Sequence, residues 1–163
     1  MKIGIVSDSH GNEAKLRLAV AALCERGAEL LVHCGDVGSA GCVETLGESG
    51  VPAYVVAGNT DSDVEALELA AGRCGVHFCR DVIEVPLDAG RRLAALHGHH
   101  PHLLRERIEG GQFAYVCVGH THFKGDRQVG PTRVINPGAL HRAFPATAAL
   151  LDTAAETVEY LVI

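Results

Sequence analysis

The sequence predicts an α/β domain in which two β-sheets share one core. The first half of the 163 residues alternates apolar, β-branched runs with helical patterns, the β-α-β-α-β-α order of a mostly parallel sheet with helices against it. The second half is a series of short β-like runs with one helical piece between them. No Ser/Gly linker, low-complexity tract or repeat separates the halves, so residues 1–163 read as one domain.

Lys2–Ser7 is apolar and β-branched and stops at polar residues, as a central strand does above the loop at its C-terminal end. Asn12 is placed to cap a helix over Glu13–Arg26, where Leu16, Ala19, Val20 and Leu23 recur at helical spacing and Gly27 ends the run. Leu30–His33 is a second strand, running into Cys34-Gly35-Asp36. Gly41–Glu48 is a short helix. Pro52–Ala57 is a third strand that ends at Gly58-Asn59-Thr60-Asp61, and Asp61 or Ser62 caps a helix to about Ala71. Val76–Phe78, Val82–Leu87 and Arg92–Leu96 are short β runs parted by turn residues such as Asp88-Ala89-Gly90. A helix follows Pro101, Ala114–Val118 is a strong strand, and Thr132–Ile135, Ala148–Asp152 and Thr157–Val162 complete the β-rich end.

Composition narrows the function classes. Hydrophobic residues make up 47% and charged residues 21%, which excludes disorder. With 14 Lys+Arg against 20 Asp+Glu the formal charge is −6, so no basic surface draws the chain to long nucleic acid or an anionic membrane. Asp8 stops the first apolar run too early for a signal sequence or a spanning helix, and no run near the roughly 18 apolar residues of a span follows. Six cysteines, at 24, 34, 42, 74, 79 and 117, form no CxxC pair, so the expected setting is the reducing cytoplasm. GxGxxG and GxxxxGK[ST] are both absent, and Asp8, Ser9 and His10 are too close in sequence to form a Ser-His-Asp relay.

Ten histidines are the informative excess. Ligand-type side chains fall at five strand ends: Asp8 and His10 after the first, Asp36 after the second, Asn59 after the third, His97 and His99 after Arg92–Leu96, and His120 and His122 after Ala114–Val118. Carboxylates, imidazoles and an amide oxygen are what borderline and hard divalent metals accept. Sites in open α/β sheets assemble at the carboxyl ends of strands. On extended backbone, the D-x-H and H-x-H spacings would turn both side chains the same way.

Taken in order, SDSHGN, CGDVG, AGNTD, LHGHH, VGHTH and INPGA resemble the motifs of the calcineurin-like metallophosphoesterases, and most of all their small YfcE-like phosphodiesterase branch, whose fold is shared by Vps29. The resemblance runs from Ile3 to Asn136-Pro137-Gly138. It implies a four-layer αββα sandwich of two mixed sheets and a two-metal site. Asp8, His10 and His122 would hold one ion, Asn59, His97 and His120 the other, and Asp36 would bridge them. It also implies two divalent ions, Mn²⁺ expected with Fe, Ni, Zn or Mg as competitors. The substrate would be a small phosphodiester, attacked by a hydroxide held between the metals, and the chain would form a homodimer. Alternatives on the same fold are a Vps29-like protein-binding scaffold and a phosphomonoesterase.

Thr60 stands where larger members of the superfamily have a His that serves the leaving group, which casts Thr60 as a substrate-side residue and leaves His99 as the candidate proton donor. Asn12 is a candidate phosphate contact, with a helix N-cap as its other reading. His100 and His102 are expected on an exposed loop and His33 in the core. His141 follows the NPGA turn, within possible reach of substrate, and His77 has no assigned role.

Overall fold

A computed structural model describes residues 1–163. Eleven strands and four helices follow one another as β1 (Lys2–Val6), α1 (Glu13–Glu25), β2 (Leu30–Cys34), α2 (Ala40–Gly47), β3 (Ala53–Val56), α3 (Val64–Cys74), β4 (His77–Cys79), β5 (Val82–Pro86), β6 (Arg92–Leu96), α4 (Pro101–Glu109), β7 (Tyr115–Val118), β8 (Gly125–Val129), β9 (Thr132–Asn136), β10 (Thr147–Asp152) and β11 (Thr157–Val162). The first sheet has the order β11-β10-β1-β2-β3-β4, with β1 to β4 parallel and β10 and β11 antiparallel additions. The second has the order β5-β6-β7-β9-β8, parallel in the middle and antiparallel at both edges.

Three apolar clusters stack the molecule into α, β, β and α layers. One joins α1, α2 and α3 to the outer face of the first sheet, through Leu16, Leu23, Leu46 and Leu67 among others. The second lies between the sheets, where Ile3, Ile5 and Val32 meet Leu93, Tyr115 and Ile135. The third packs Ile108 of α4 on Leu96, Val116 and Val134. Strands β1 and β2 are apolar on both faces because both faces are covered. The four-layer sandwich with two mixed sheets is therefore borne out. No helix is long and apolar enough to cross a membrane.

Two expectations about the third helix need correcting, and one strand goes unmarked in the sequence. The helix after the third strand is capped by Asp63, whose side chain accepts the Ala66 N–H at 3.1 Å, and it runs on to Cys74 before Gly75 closes it. Neither Asp61 nor Ser62 caps it; the Asp61 carboxylate is taken up instead by the N–H groups of Val37, Gly38 and Gly58. Strand β8 was not visible in the sequence: Gly125-Asp126-Arg127-Gln128 is exposed on both faces of a sheet edge, so no alternation marks it.

Truncating the fully buried Leu93 to Ala removes apolar contact between the sheets. Urea unfolding of Leu93→Ala should show a loss of about 2–5 kcal/mol, whereas Val162→Ala, at a side chain 70% exposed, should stay within about 0.5 kcal/mol of the parent. A negligible loss for Leu93→Ala would contradict the shared core.

A candidate metal centre at the strand ends

Strands β1, β2 and β3 of one sheet and β6 and β7 of the other deliver their C-terminal loops to one edge of the sandwich. Asp8, Asp36 and His97 are buried there, at 0%, 3% and 1% exposure. His10 and His122 are half-buried, and Asn59 and His120 face solvent. The cluster thus has a closed floor and an open mouth.

The seven candidate ligands meet. Asp8 Oδ1 lies 3.1 Å from His122 Nε2 and 4.0 Å from His10 Nε2. On the other side, His97 Nε2 lies 3.0 Å from Asn59 Oδ1, and its ring is 5.0 Å from that of His120. Asp36 Oδ2 stands between the two groups, 3.6 Å from His10 Nε2 and 3.4 Å from His97 Nε2.

The backbone reaches this arrangement by a different route from the one expected. Asp8, His10, Asp36, His120 and His122 have φ of 54°, 45°, 53°, 66° and 62°, in the left-handed region rather than extended. Such conformations cost roughly 1–3 kcal/mol each and persist only where neighbours hold them. Here the loops are laced together: Asp8 N–H donates to Gly35 O, His10 N–H to Asp36 O, and Gly11 N–H to Val37 O, at 2.9–3.0 Å. Close approach also requires glycine. A Cβ on Gly58 would collide with the Asp36 carboxylate, and one on Gly119 with Ser7 Oγ.

The free atoms aim inward. Thr60 N–H donates to Asp36 Oδ1 at 2.9 Å and His120 N–H to Asp8 Oδ2 at 3.2 Å, so each carboxylate is anchored by one oxygen and offers the other. Cys34 C=O accepts the Nδ1–H of His97 at 2.9 Å, which makes Nε2 the nitrogen that faces the cluster, a proton donor to Asp36 in the charged ring and a lone pair in the neutral one. Asp8 Oδ1 and His10 Nε2 are buried without any hydrogen bond. Orphaned buried polar atoms of this kind are costly, and a divalent cation would satisfy them. Carboxylate oxygen, imidazole nitrogen and amide oxygen form a donor set that fits such an ion.

The charges respond to this crowding. Burial pushes the Asp8 carboxyl up. Burial acts the same way on Asp36, but hydrogen bonds from His97 and Thr60 overcome it and hold that carboxyl well below the usual range. For His97, burial is outweighed by the bonds to Asp36 and the Cys34 carbonyl, and its pKa rises.

The other candidate residues lie around this centre or apart from it. The side chain of Asn12 caps α1 by accepting the Lys15 N–H at 3.1 Å. Thr60 Oγ1 lies 3.3 Å from His10 Nδ1. The ring of His99 is 5.4 Å from that of His97, with Nδ1 buried and unpartnered. His100 and His102 are exposed. The His141 ring lies 5.4 Å from that of His10, whereas His77 stacks on Tyr54 at the β4 edge. His33 is buried as expected but only half satisfied. Ser9 Oγ gives its proton to Val37 O, so His33 donates Nε2–H to Ser9 Oγ at 2.8 Å while Nδ1 has no partner. Burial drops its pKa to about 3, so it stays neutral.

A model of the calcineurin-like phosphoesterase superfamily domain matches residues 1–156. The chain belongs to this family. Phosphodiesterase MJ0936 of Methanocaldococcus jannaschii is 30% identical to it over 141 residues, 85% of this chain and 83% of the relative. A solved structure described as a novel archaeal phosphodiesterase matches with a TM-score of 0.90 and 28% identity over all of both chains. YfcE, a phosphoesterase from E. coli, matches over all of both chains at a TM-score of 0.69 and 24% identity, a likeness of fold. Vps29 chains, 15–17% identical, share the fold as well.

The residue that the sequence reading missed at this centre is Asp61. Its carboxylate, 8% exposed, accepts the N–H of Val37 at 3.1 Å, of Gly38 at 2.7 Å and of Gly58 at 2.7 Å. It thereby ties the loop carrying Asp36 to the loop carrying Asn59. A cap-type Asp two residues past Asn59 was the only signal, and it reads equally as a helix start. Asp61→Asn keeps the shape but turns an amide NH₂ toward a backbone N–H. Unfolding free energy should fall by about 1–3 kcal/mol, and Mn²⁺ affinity measured by calorimetry should drop about 10–100-fold. Parent-like values in both measurements would remove Asp61 from the scaffold of the centre.

Proposed function

We propose that the chain is a two-metal phosphodiesterase for small phosphodiesters, with Asp36 as the shared ligand. The observation that carries this reading is Asp36 Oδ2, which faces His10 Nε2 and His97 Nε2 at nearly equal distances of 3.6 and 3.4 Å. Asp8, His10 and His122 would hold one ion and Asn59, His97 and His120 the other. Mn²⁺ is the expected occupant, while Ni and Zn compete on affinity and Fe or Mg by availability. Two such ions, when bound, clamp phosphoryl oxygens, neutralise charge in the transition state and acidify a water for in-line attack.

The chain's own groups supply position and protons. Asp8 and Asp36 are held by the backbone N–H groups of His120 and Thr60, so neither rotates when a ligand arrives. The Asn12 carbonyl is taken up by the helix cap, leaving its amide nitrogen for a phosphoryl oxygen. Thr60, exposed at the mouth beside His10, is the second substrate-side group. His99 lies on the open side, 6.3 Å ring to ring from His120. Burial and the imidazoles of His100, His97 and His120 lower its pKa; an arriving phosphate opposes that and loads the ring with the proton that a leaving oxygen needs.

A protein-binding scaffold on this fold has no use for unpartnered inward-facing ligand atoms, which favours the enzyme reading. The absence of a leaving-group His at position 60 favours activated or small diesters over monoesters. Six free cysteines, three of them buried, accord with a reducing cytoplasm, and the homodimer rests on branch resemblance alone.

Removing metal with a chelator should abolish hydrolysis of bis(4-nitrophenyl) phosphate, and Mn²⁺ should restore it. Asp36→Ala should lose both ions and all turnover; two retained ions with full turnover would overturn the bridge. Monoesterase activity exceeding diesterase activity would reverse the substrate class while leaving the metal centre standing.

His99→Ala should slow diesters with alkyl leaving groups by about 10²-fold or more and nitrophenyl diesters far less, at unchanged metal content. Equal losses on both, carried by KM, would make His99 a phosphate-binding donor. No change on either would make it a bystander.

A further inference from the structure

Beside His122 the surface opens into a cleft of about 370 Å³, within the range of small-ligand sites. Phe123 and Lys124, which follow the β7 loop, form one wall, and Arg142, Phe144 and Pro145, which lead into β10, form the other. His122 belongs to both the cleft and the metal centre, so a group lying in the cleft is attached next to the reacting phosphorus.

Two features of the lining define its ligand. Phe123 and Phe144 are 80% and 105% exposed, and both converge on this cleft. Single exposed apolar side chains are ordinary; two aromatic rings lining one cleft at the rim of a charged centre are a place for a planar, apolar group. The second feature is unpaired positive charge. Eight of the eleven arginines form ion pairs with carboxylates, but Arg142 does not. Lys124 has no carboxylate either, and its ammonium lies 5.4 Å over the Tyr160 ring. No Asp or Glu lines the cleft, although the chain carries a net charge of −6. Aromatic walls with unneutralised cations suit a ligand that is flat and anionic.

We propose that this cleft is a nucleotide subsite, in which a base stacks on Phe123 and Phe144 while a further phosphate pairs with Arg142 and Lys124. The proposal rests on the phosphodiesterase reading for its chemistry, and the substrate is then a nucleotide diester rather than a simple alkyl or aryl one.

Three esters with one leaving group test it: methyl 4-nitrophenyl phosphate, thymidine 5′-(4-nitrophenyl phosphate) and the same thymidine ester bearing a 3′-phosphate. The Mn²⁺-loaded wild type should show kcat/KM rising along the series, by about tenfold at each step. Phe144→Ala and Phe123→Ala should lower the thymidine-to-methyl ratio by about tenfold, within the range of base–aromatic stacking. Arg142→Gln and Lys124→Gln should lower the 3′-phosphate gain instead. All four side chains are exposed, and thermal unfolding of each variant should match the parent.

A second readout avoids catalysis: calorimetric binding of thymidine 3′,5′-bisphosphate, expected to weaken about tenfold in Phe144→Ala and in Arg142→Gln. A flat ester series, or variants that lower all three esters equally, would overturn the subsite even with methyl ester turnover intact. Nucleotide binding that follows the four variants, with no ester hydrolysed, would support the subsite and sink the phosphodiesterase reading instead.

Discussion

Two carboxylates taken out of water side by side set the terms for the rest of this molecule. Asp8 and Asp36, together with His97, place ligand atoms within 4.8 Å of one another, with both carboxylates almost wholly buried. Burying like charges at that range is expensive unless each is paired or hydrogen-bonded. The chain meets that cost in two ways. One oxygen of each carboxylate receives a backbone N–H, and imidazoles crowd around the other. Left-handed loops are the conformations that bring those N–H groups and rings into range, and the loop-to-loop hydrogen bonds with the Asp61 clamp keep them there.

The two-sheet architecture follows from the same need. The second sheet contributes the loops of His97, His120 and His122, and its strands bury their inner face on the first sheet through Leu93, Tyr115 and Ile135. Register across that interface carries the imidazoles to the carboxylates, and Gly119 N–H to His97 O, at 3.1 Å, joins the two histidine-bearing loops. Core packing between the sheets and ligand geometry at their edge are therefore one structural problem. The cleft beyond His122 lies outside this hydrogen-bonded part, on exposed loops of the kind that commonly carry binding residues.

Much of this was legible in the residues. Buried strands announced themselves as β-branched runs, and α1 showed its four core positions, because burial on one face leaves a period in the sequence. Ligand types at five strand ends were visible because metal chemistry uses few side chains. What was hidden has physical reasons too. Strand β8 exposes its first four residues and half-buries only Val129, and so leaves no period. The left-handed φ of Asp8 or His122 is hard to read from residue type, because Asp and His tolerate that region better than most residues but adopt it only where the surroundings impose it, here through hydrogen bonds between loops distant in sequence. Asp61 reads as a cap in the sequence because an Asp that accepts backbone N–H groups looks alike whether the donors are local or come from residues 37, 38 and 58.

On the proposed reading, these seven side chains form one centre for two ions that share Asp36. Anomalous diffraction from crystals grown with Mn²⁺ tests it most directly. Two peaks roughly 3.5–4 Å apart are expected, one beside Asp8, His10 and His122, one beside Asn59, His97 and His120, and both in contact with Asp36. A single peak at saturating Mn²⁺, or two peaks of which only one touches Asp36, would contradict it.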